Sequence, residues 1–304
     1  MSTIIRIGTR DSDLALWQAK TVQSHLEALG YQTTLVPIKS TGDIILNKPL
    51  YELGITGIFT KTLDIAMLNG AIDIAVHSMK DVPTALPQGI VQAAVMERAS
   101  YDDILVVKDT PDFSTPCTIA TGSLRRKAQW LAKYPHHTVV DLRGNVNTRL
   151  QKLKDNPWTG AIFAKAGLER IEVLPSQHTV LDWMIPAPSQ GAMMITALEE
   201  DHFSLDACHK LNHEPTAQCT AIEKDFLRRL EGGCTAPIGA LAEHKEDHIH
   251  FKGVLFALDG QKHIRIDRKI AFDEAQDFGK KCAEEVLQQG GDMIMKTIKE
   301  QLDS

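Results

Sequence analysis

Three short stretches of this 304-residue chain gather cations around small residues. They read Thr121-Gly122-Ser123-Leu124-Arg125-Arg126, Arg143-Gly144-Asn145-Val146-Asn147-Thr148-Arg149 and Lys165-Ala166-Gly167-Leu168-Glu169-Arg170. Each follows an apolar run and opens a helix-like pattern, so each reads as a loop beyond the carboxyl end of a strand. Open α/β sheets bind ligands at such places, and helix N-termini there offer unpaired N–H groups and partial positive charge. A cation at a helix N-terminus opposes that dipole unless an anion compensates. The planar fork of arginine suits carboxylates, because it makes two parallel hydrogen bonds. A single loop of this kind reads equally well as solvated surface charge. Three at one topological position point to a ligand with several negative charges. Phosphate is the other anion to weigh, but no GxxxxGK[ST] or GxGxxG follows a strand. Arg10 follows the strand-like Ile4–Thr9 and can face the same cleft.

A lone acid stands apart from these cations. In "AIDIAVHSMKDVP" the apolar run Ile72–Val76 leads into His77, Ser78, Met79, Lys80 and Asp81. Asp81 thus lies just past the end of a buried strand. Pro83, with its fixed φ, biases Val82 toward extended backbone, so the acid sits on a stiff segment. Such a carboxylate can stabilise a developing cation, or shuttle protons if burial raises its pKa. Alternatively, Lys80 and Asp81 are ordinary loop charges. Cys234 in "LEGGCTAPIG" follows two glycines and precedes Pro237 and Gly239. Glycines let a bulky group approach the backbone, and a thiol there can be an attachment point or a nucleophile. Cys117 and Cys282 read better as small buried residues. Cys208, His209, His213 and Cys219 resemble metal ligands, but their spacing fits no standard zinc pattern, so no metal is expected.

The elements that must position these groups are legible. Ile4–Thr9 is a strand. Asp11 or Ser12 can cap a helix whose Ala15, Ala19, Val22, Leu26 and Leu29 share a face, with Gly30 as its stop. Thr33–Ile38 is a strand, and a helix near Lys61–Leu68 precedes the strand Ile72–Val76. A second β-α unit starts near Tyr101 and repeats strand, loop and helix three times. Pro186, Pro188 and Gly191 punctuate the chain before "AMMITALEE", a return to the first unit. From about Glu214 the pattern changes to a helix, Ala217–Leu230, then alternating stretches, then a helix over Ala275–Gln289. The histidines of "EHKEDHIH" read as a polar hairpin. The alternation predicts an α/β fold with mainly parallel sheets and helices on both faces, followed by a small α+β domain.

Length predicts two or three domains. A hydrophobic fraction of 43%, with 24% charged residues, is that of a soluble globular protein. The formal net charge of −6 argues against a nucleic-acid partner, which needs a basic surface. No apolar stretch approaches the ~20 residues that cross a bilayer, so no membrane association is expected. "MSTIIRIGTR" lacks the apolar core of a signal peptide. Five scattered cysteines without a CxxC suit a reducing cytosol.

Taken in order, "RIGTRDSDLALWQA", "VHSMKDVP", "GSLRRKAQ", "LRGNVNTRL", "AGLERI", "PAPSQGAM" and "LEGGCTAPIG" resemble the porphobilinogen deaminase (hydroxymethylbilane synthase) family. The resemblance covers most of the chain. It implies two periplasmic-binding-protein-like α/β lobes and a small α+β domain: residues 1–98 with 192–212, residues 99–191, and residues 213–304. It implies a dipyrromethane cofactor joined by a thioether to Cys234. The reaction it implies joins four porphobilinogen units head to tail with loss of ammonia, then hydrolyses off hydroxymethylbilane. Asp81 would be the catalytic acid, stabilising charge on pyrrole nitrogens and on an azafulvenium-like intermediate. Lys80, Ser123, Arg125, Arg126 and Arg143 would hold the cofactor, and Arg10, Ser12, Arg149, Arg170 and Gln190 the substrate and growing chain. The resemblance further implies a cytoplasmic monomer of haem and tetrapyrrole biosynthesis, with transient hand-off of product to the next enzyme. Three positions depart from the family: Thr56 where lysine is common, Ser189 for a usual glycine, and Gly122 for a frequent hydroxyl residue. Two other readings compete. A carboxylate receptor has no use for the cysteine loop, and a cysteine hydrolase lacks a placed histidine base.

Overall fold

The computed structural model describes residues 4–39, 59–230 and 236–302. Along the chain, β1 (Ile4–Arg10), α1 (Asp13–Ala28), β2 (Gln32–Ile38), α2 (Lys61–Leu68), β3 (Ile74–Ser78), a 3-10 turn (Met79–Asp81) and β4 (Ile90–Val95) come first. Next are β5 (Asp103–Val107), β6 (Thr118–Ala120), α3 (Leu124–Lys133), β7 (Thr138–Val140), α4 (Val146–Asp155), β8 (Gly160–Ala164), α5 (Lys165–Arg170) and β9 (His178–Val180). The chain continues with β10 (Met193–Leu198), α6 (His202–His209) and α7 (Glu214–Arg229). It closes with β11 (Ile238–His244), β12 (Ile249–Phe256), β13 (His263–Ile270), α8 (Phe278–Val286) and α9 (Asp292–Leu302).

These strands form three sheets, of order β2-β1-β3-β10-β4, β7-β6-β8-β5-β9 and β11-β12-β13. In the first, β1 runs parallel to β2 and β3, while β10 lies antiparallel between β3 and β4. The second repeats the plan: β6 is parallel to β7 and β8, and β5 is antiparallel to β8 and β9. The third is an antiparallel meander, and its first hairpin carries the histidines of "EHKEDHIH".

Amphipathic spacing accounts for the packing. Ala19, Val22 and Leu26 of α1 are buried on Ile5, Ile7 and Ile74, and Ala15 of the same face is buried as well. Leu29, expected on that face, is 48% exposed, because it is the C-cap and its backbone has left the helical path. Strand β3 begins two residues later than the apolar run and takes in His77 and Ser78. The antiparallel partner β10 extends it, pairing His77 with Met194 and Ser78 with Met193. The helix expected over 275–289 is also different. It starts at Phe278 and breaks at Gly290, whose φ of 100° no ordinary helical residue adopts, before α9 resumes.

Two segments connect the first sheet to the second: one follows β4 and the other precedes β10. They lie against each other. Ala99 N donates to Gly191 O (3.2 Å), Arg98 Nε to Gln190 O (2.8 Å) and Gln190 Nε2 to Tyr101 O (2.8 Å). Gly191 has φ +88°, and a Cβ on it would stand 2.6 Å from Ser100 O, so only glycine fits this crossing. Arg98 and Glu223 then pin the crossing to the third sheet. The fully buried Glu223 of α7 accepts from Arg98 Nη1 (2.6 Å) and Nη2 (3.1 Å), Ser189 N (2.5 Å) and Ala242 N (2.7 Å).

Candidate active site

Asp81 ends the 3-10 turn that caps β3, and the turn and the residues that follow it are held from two sides. Met79 N donates to Ala192 O (3.0 Å) and Val82 N to Met79 O (3.2 Å). From α7, Lys224 Nζ reaches Val82 O (2.8 Å) and Pro83 O (3.3 Å), and Arg228 Nη2 reaches Thr84 O (2.5 Å). The segment expected to be stiff because of Pro83 is thus also clamped by two cations of the helix that leads toward Cys234. Cys234 and Thr56 themselves lie outside the described residues.

The electrostatics bring the predicted cations together around this turn. Burial lowers the pKa of Arg149 to about 10. Arg126, Arg143 and Arg10 push it the same way, and Asp81 opposes them. Burial likewise lowers Lys80 to about 8; Arg126 and Arg125 add to this, while Asp81 and Asp103 resist it. Arg149 thus feels the charges of Arg10 of β1, Asp81 of the 3-10 turn, Arg126 of α3 and Arg143, and Lys80 feels those of Asp81, Arg125, Arg126 and Asp103, so these residues lie near one another. Arg143 is buried and its pKa is lowered by that burial, with Asp141 opposing. Arg10 also lies 4.4 Å from the centre of the Phe59 ring, a favourable cation–π distance.

Caps fix the loops that carry the cations. Ser123 is the N-cap of α3, and its side chain accepts from Arg126 N; Asn145 caps α4 by accepting from Thr148 N. Ser12 is the N-cap of α1 by backbone geometry, without a side-chain capping bond. Gly122 packs so closely on the next loop that a Cβ would stand 2.5 Å from Leu142 O, which leaves no room for the hydroxyl residue frequent there in the family. Arg149 Nε donates to Gly144 O (2.7 Å), folding the loop back on its own helix.

Four of the predicted residues do something the sequence did not indicate. Arg125 and Arg126 both grip Asp103, the first residue of β5. Arg125 Nη1 lies 2.6 Å from Oδ2, and Arg126 Nε and Nη2 lie 2.9 and 2.8 Å from Oδ1. Arg125 also donates to Ile185 O and Arg126 to Ile162 O. Gln190 is buried, and its amide is committed to protein: Nε2 donates to Tyr101 O and Asp103 Oδ1, and Oε1 accepts from Lys80 Nζ (3.2 Å). Arg170 Nη2 donates to Gly191 O (2.7 Å), its guanidinium lies 5.5 Å from the Trp17 ring centre, and burial lowers its pKa to about 10. Arg125 Nε and Arg170 Nε are buried without a hydrogen-bond partner among the described residues.

Asp103 is the functional candidate that sequence reasoning missed. Burial disfavours its charge, yet Arg125 and Arg126 outweigh burial and hold its carboxyl well below the usual carboxylate range. One signal could have found it: two adjacent arginines at a helix start need a counter-charge, and "SYDDI" offers acids at the head of a strand.

The thiols among the described residues are inert. Cys117, Cys208, Cys219 and Cys282 are free and buried, and burial pushes the last three up to about 12. Cys208 and Cys219 belong to different cores, and His213 is the N-cap of α7. No group of three His, Cys, Asp or Glu side chains among the described residues is arranged to hold a metal ion.

The family model "Porphobilinogen deaminase, dipyromethane cofactor binding domain" matches residues 5–206, and "Porphobilinogen deaminase, C-terminal domain" matches residues 217–288. The porphobilinogen deaminase of Campylobacter hominis is 38% identical, over 97% of this chain and 98% of its own. That of Syntrophotalea carbinolica is 39% identical, over 98% of this chain and 96% of its own. Among solved structures, the methionine binding protein MetQ is 14% identical, covering 73% of this chain and 93% of its own, with a TM-score of 0.44.

Proposed function

Because the chain belongs to the porphobilinogen deaminase family, we propose that Asp81 is its catalytic acid and that the cations around Asp81 hold the carboxylates of cofactor and substrate. The protein is a transferase of tetrapyrrole biosynthesis that uses a dipyrromethane cofactor and makes hydroxymethylbilane from porphobilinogen. When bound, the cofactor supplies the nucleophilic pyrrole end to which units are added. The donor set suits such a group: buried guanidiniums favour acetate and propionate arms through paired, charge-assisted hydrogen bonds, and two buried arginine Nε atoms have no hydrogen-bond partner among the described residues.

In this reading Cys234 carries the dipyrromethane through its sulfur, and Lys80, Ser123, Arg125, Arg126 and Arg143 face the arms of the cofactor. Arg10, Ser12, Arg149 and Arg170 receive porphobilinogen and the lengthening chain, while Gln190 serves both sets through Lys80 and Asp103. Loss of ammonia from the aminomethyl group of porphobilinogen leaves a cation delocalised onto the pyrrole nitrogen. The Asp81 carboxylate stabilises that charge at the pyrrole N–H and would accept the proton released from the attacked α-carbon once the new carbon–carbon bond has formed, its segment held in place by the Lys224 and Arg228 clamps. The observation that carries the reading is the hydrogen-bonded path from Lys80, next to Asp81, through Gln190 to Asp103 and the buried Arg125 and Arg126.

Residues 1–98 with 192–212, 99–191 and 213–304 are then three domains, in keeping with one sheet in each. No described helix is long and apolar enough to cross a membrane. Four free, buried thiols suit a reducing compartment. We place the enzyme in the cytoplasm as a monomer that passes its product to the next enzyme.

Intact mass and turnover test the assignment together. The purified enzyme should carry two linked pyrroles, lost in Cys234→Ser. Asp81→Asn should keep the adduct and the circular dichroism of the parent but lose at least about 10²-fold in turnover. An unmodified parent mass in active enzyme, or near-parental consumption of porphobilinogen by Asp81→Asn, refutes it.

A further inference from the structure

We propose that Asp103 is a positioning residue of the anion cleft: it locks the guanidinium forks of Arg125 and Arg126 in one orientation and, through the Gln190 amide, fixes the Lys80 ammonium beside Asp81. This rests on the proposed role of the cleft and adds to it a residue that touches no ligand. The geometry is a closed set. Both Asp103 oxygens are engaged, Oδ2 by Arg125 Nη1 and Oδ1 by Arg126 Nε and Nη2 and by Gln190 Nε2. Gln190 turns its other end to Lys80 Nζ. Asp103 is 1% exposed and Gln190 is 1% exposed, so neither can meet a substrate directly.

Holding two like charges side by side is unfavourable without an anion between them, and a freely rotating arginine loses side-chain entropy on binding. Asp103 answers both. It neutralises one of the two guanidinium charges and fixes both forks before any ligand arrives. The loop thus carries a net single positive charge at a defined place, rather than two at variable places. The Gln190 link extends this to the neighbouring domain's turn, where Lys80 follows β3. Among the described residues, Lys80 is faced by Arg125 and Arg126 of α3, Asp103 of β5, Asp81 on its own turn and the Gln190 amide. Of these, Asp81 and Asp103 favour its protonated form and the two arginines disfavour it. Removing the Asp103 charge removes one of the charges that keep Lys80 ionised near neutral pH.

The test is the pH dependence of kcat/KM for porphobilinogen, measured on holoenzyme from pH 6 to about 9.5, in the parent and in Asp103→Asn, Gln190→Leu and Lys80→Arg. The ligand-free Lys80 ammonium has its pKa lowered to about 8, and the cofactor's carboxylates raise it again, so the parent should show an alkaline limb above pH 8 that Lys80→Arg, which does not titrate in this range, should lack. In Asp103→Asn the limb should move down by at least about half a pH unit, and KM should rise more than kcat falls. A merely structural loss lowers the whole curve and leaves the limb in place. If Asp103→Asn does not load or fold, Gln190→Leu, which leaves the arginine–aspartate bonds intact, decides by the same limb. An unmoved limb in the variant that folds, or a parent limb that survives Lys80→Arg, overturns the proposal. Asp81→Asn assayed alongside separates the two questions: if it too stays active, the reading of the cleft has failed, and if it is inactive while the limb stays fixed, only the role of Asp103 has.

Discussion

Replacing Glu223 by alanine should cost about 4 kcal/mol and uncouple the third sheet from the other two. The carboxylate accepts from both Nη atoms of Arg98 and from the backbone N–H groups of Ser189 and Ala242. Alanine leaves Arg98, with a side chain only 11% exposed, facing no counter-charge. Breaking a buried pair from one side costs about 3–5 kcal/mol, and the two orphaned N–H groups keep the figure in the upper half of that range. With a urea slope of about 2–3 kcal/mol per molar, the midpoint should fall by about 1.5 M. The assay has a built-in spatial probe. The four tryptophans, Trp17, Trp130, Trp158 and Trp183, all precede β10, so their fluorescence follows the first two sheets, whereas far-ultraviolet circular dichroism follows the whole chain. In the parent the two transitions should coincide; in Glu223→Ala they should separate, since a multidomain chain stays two-state only while its parts are coupled. Arg98→Met combined with Glu223→Leu should be more stable than Glu223→Leu alone, because the stranded charge is gone. A midpoint within about 0.3 M of the parent, or a double variant no better than the single one, would refute the idea that this ion pair joins the three units.

Two further changes follow from buried groups. Burial, with Arg10 and Lys224 adding to it, lowers the pKa of His77 to about 4, so it is neutral in the fold but takes up a proton near pH 6.5 when unfolded. Between those values the unfolded chain binds more protons, so stability falls on acidification through that window, by about 3 kcal/mol at most. His77→Leu should flatten a urea-midpoint profile from pH 6.5 to 4, and a slope equal to the parent's would show that other groups cause it. Ser189 has φ +64°, and its buried Oγ lacks a partner among the described residues. Left-handed backbone costs a non-glycine residue about 1–2 kcal/mol, and glycine's freedom in the unfolded chain gives back about 0.4–1 of that. Ser189→Gly should therefore gain about 1 kcal/mol, and a midpoint that does not rise would contradict the strain.

Local patterns carried much of this structure. The β-α alternation, the return strand after Gly191 and the antiparallel third sheet follow from apolar spacing and punctuation within about twenty residues, and the three cationic loops sit where that alternation puts them. What the sequence hid depends on distance along the chain. Asp103 meets Arg125 and Arg126 because β5 runs antiparallel beside β8, which no local pattern states. Glu223 reaches Arg98 across 125 residues. Gln190 enters the substrate set through the family resemblance, and the bonds of its amide to Tyr101, Asp103 and Lys80 are visible only in the fold. Pattern reading also set β3 two residues early, since pairing with β10, not hydrophobicity, carries the strand on through His77 and Ser78.

The paired crossing segments have a mechanical consequence. Two segments that touch along their length, with Gly191 seated on Ala99 and Ser100, act as a leaf spring. Bending across the pair changes a few backbone torsions slightly and keeps the rungs between the segments. Twisting or sliding one lobe against the other stretches the Ala99–Gly191 and Arg98–Gln190 bonds in opposite senses. Such a spring has one soft direction, so a change in the gap between the first two sheets would follow that bend rather than a twist or a slide.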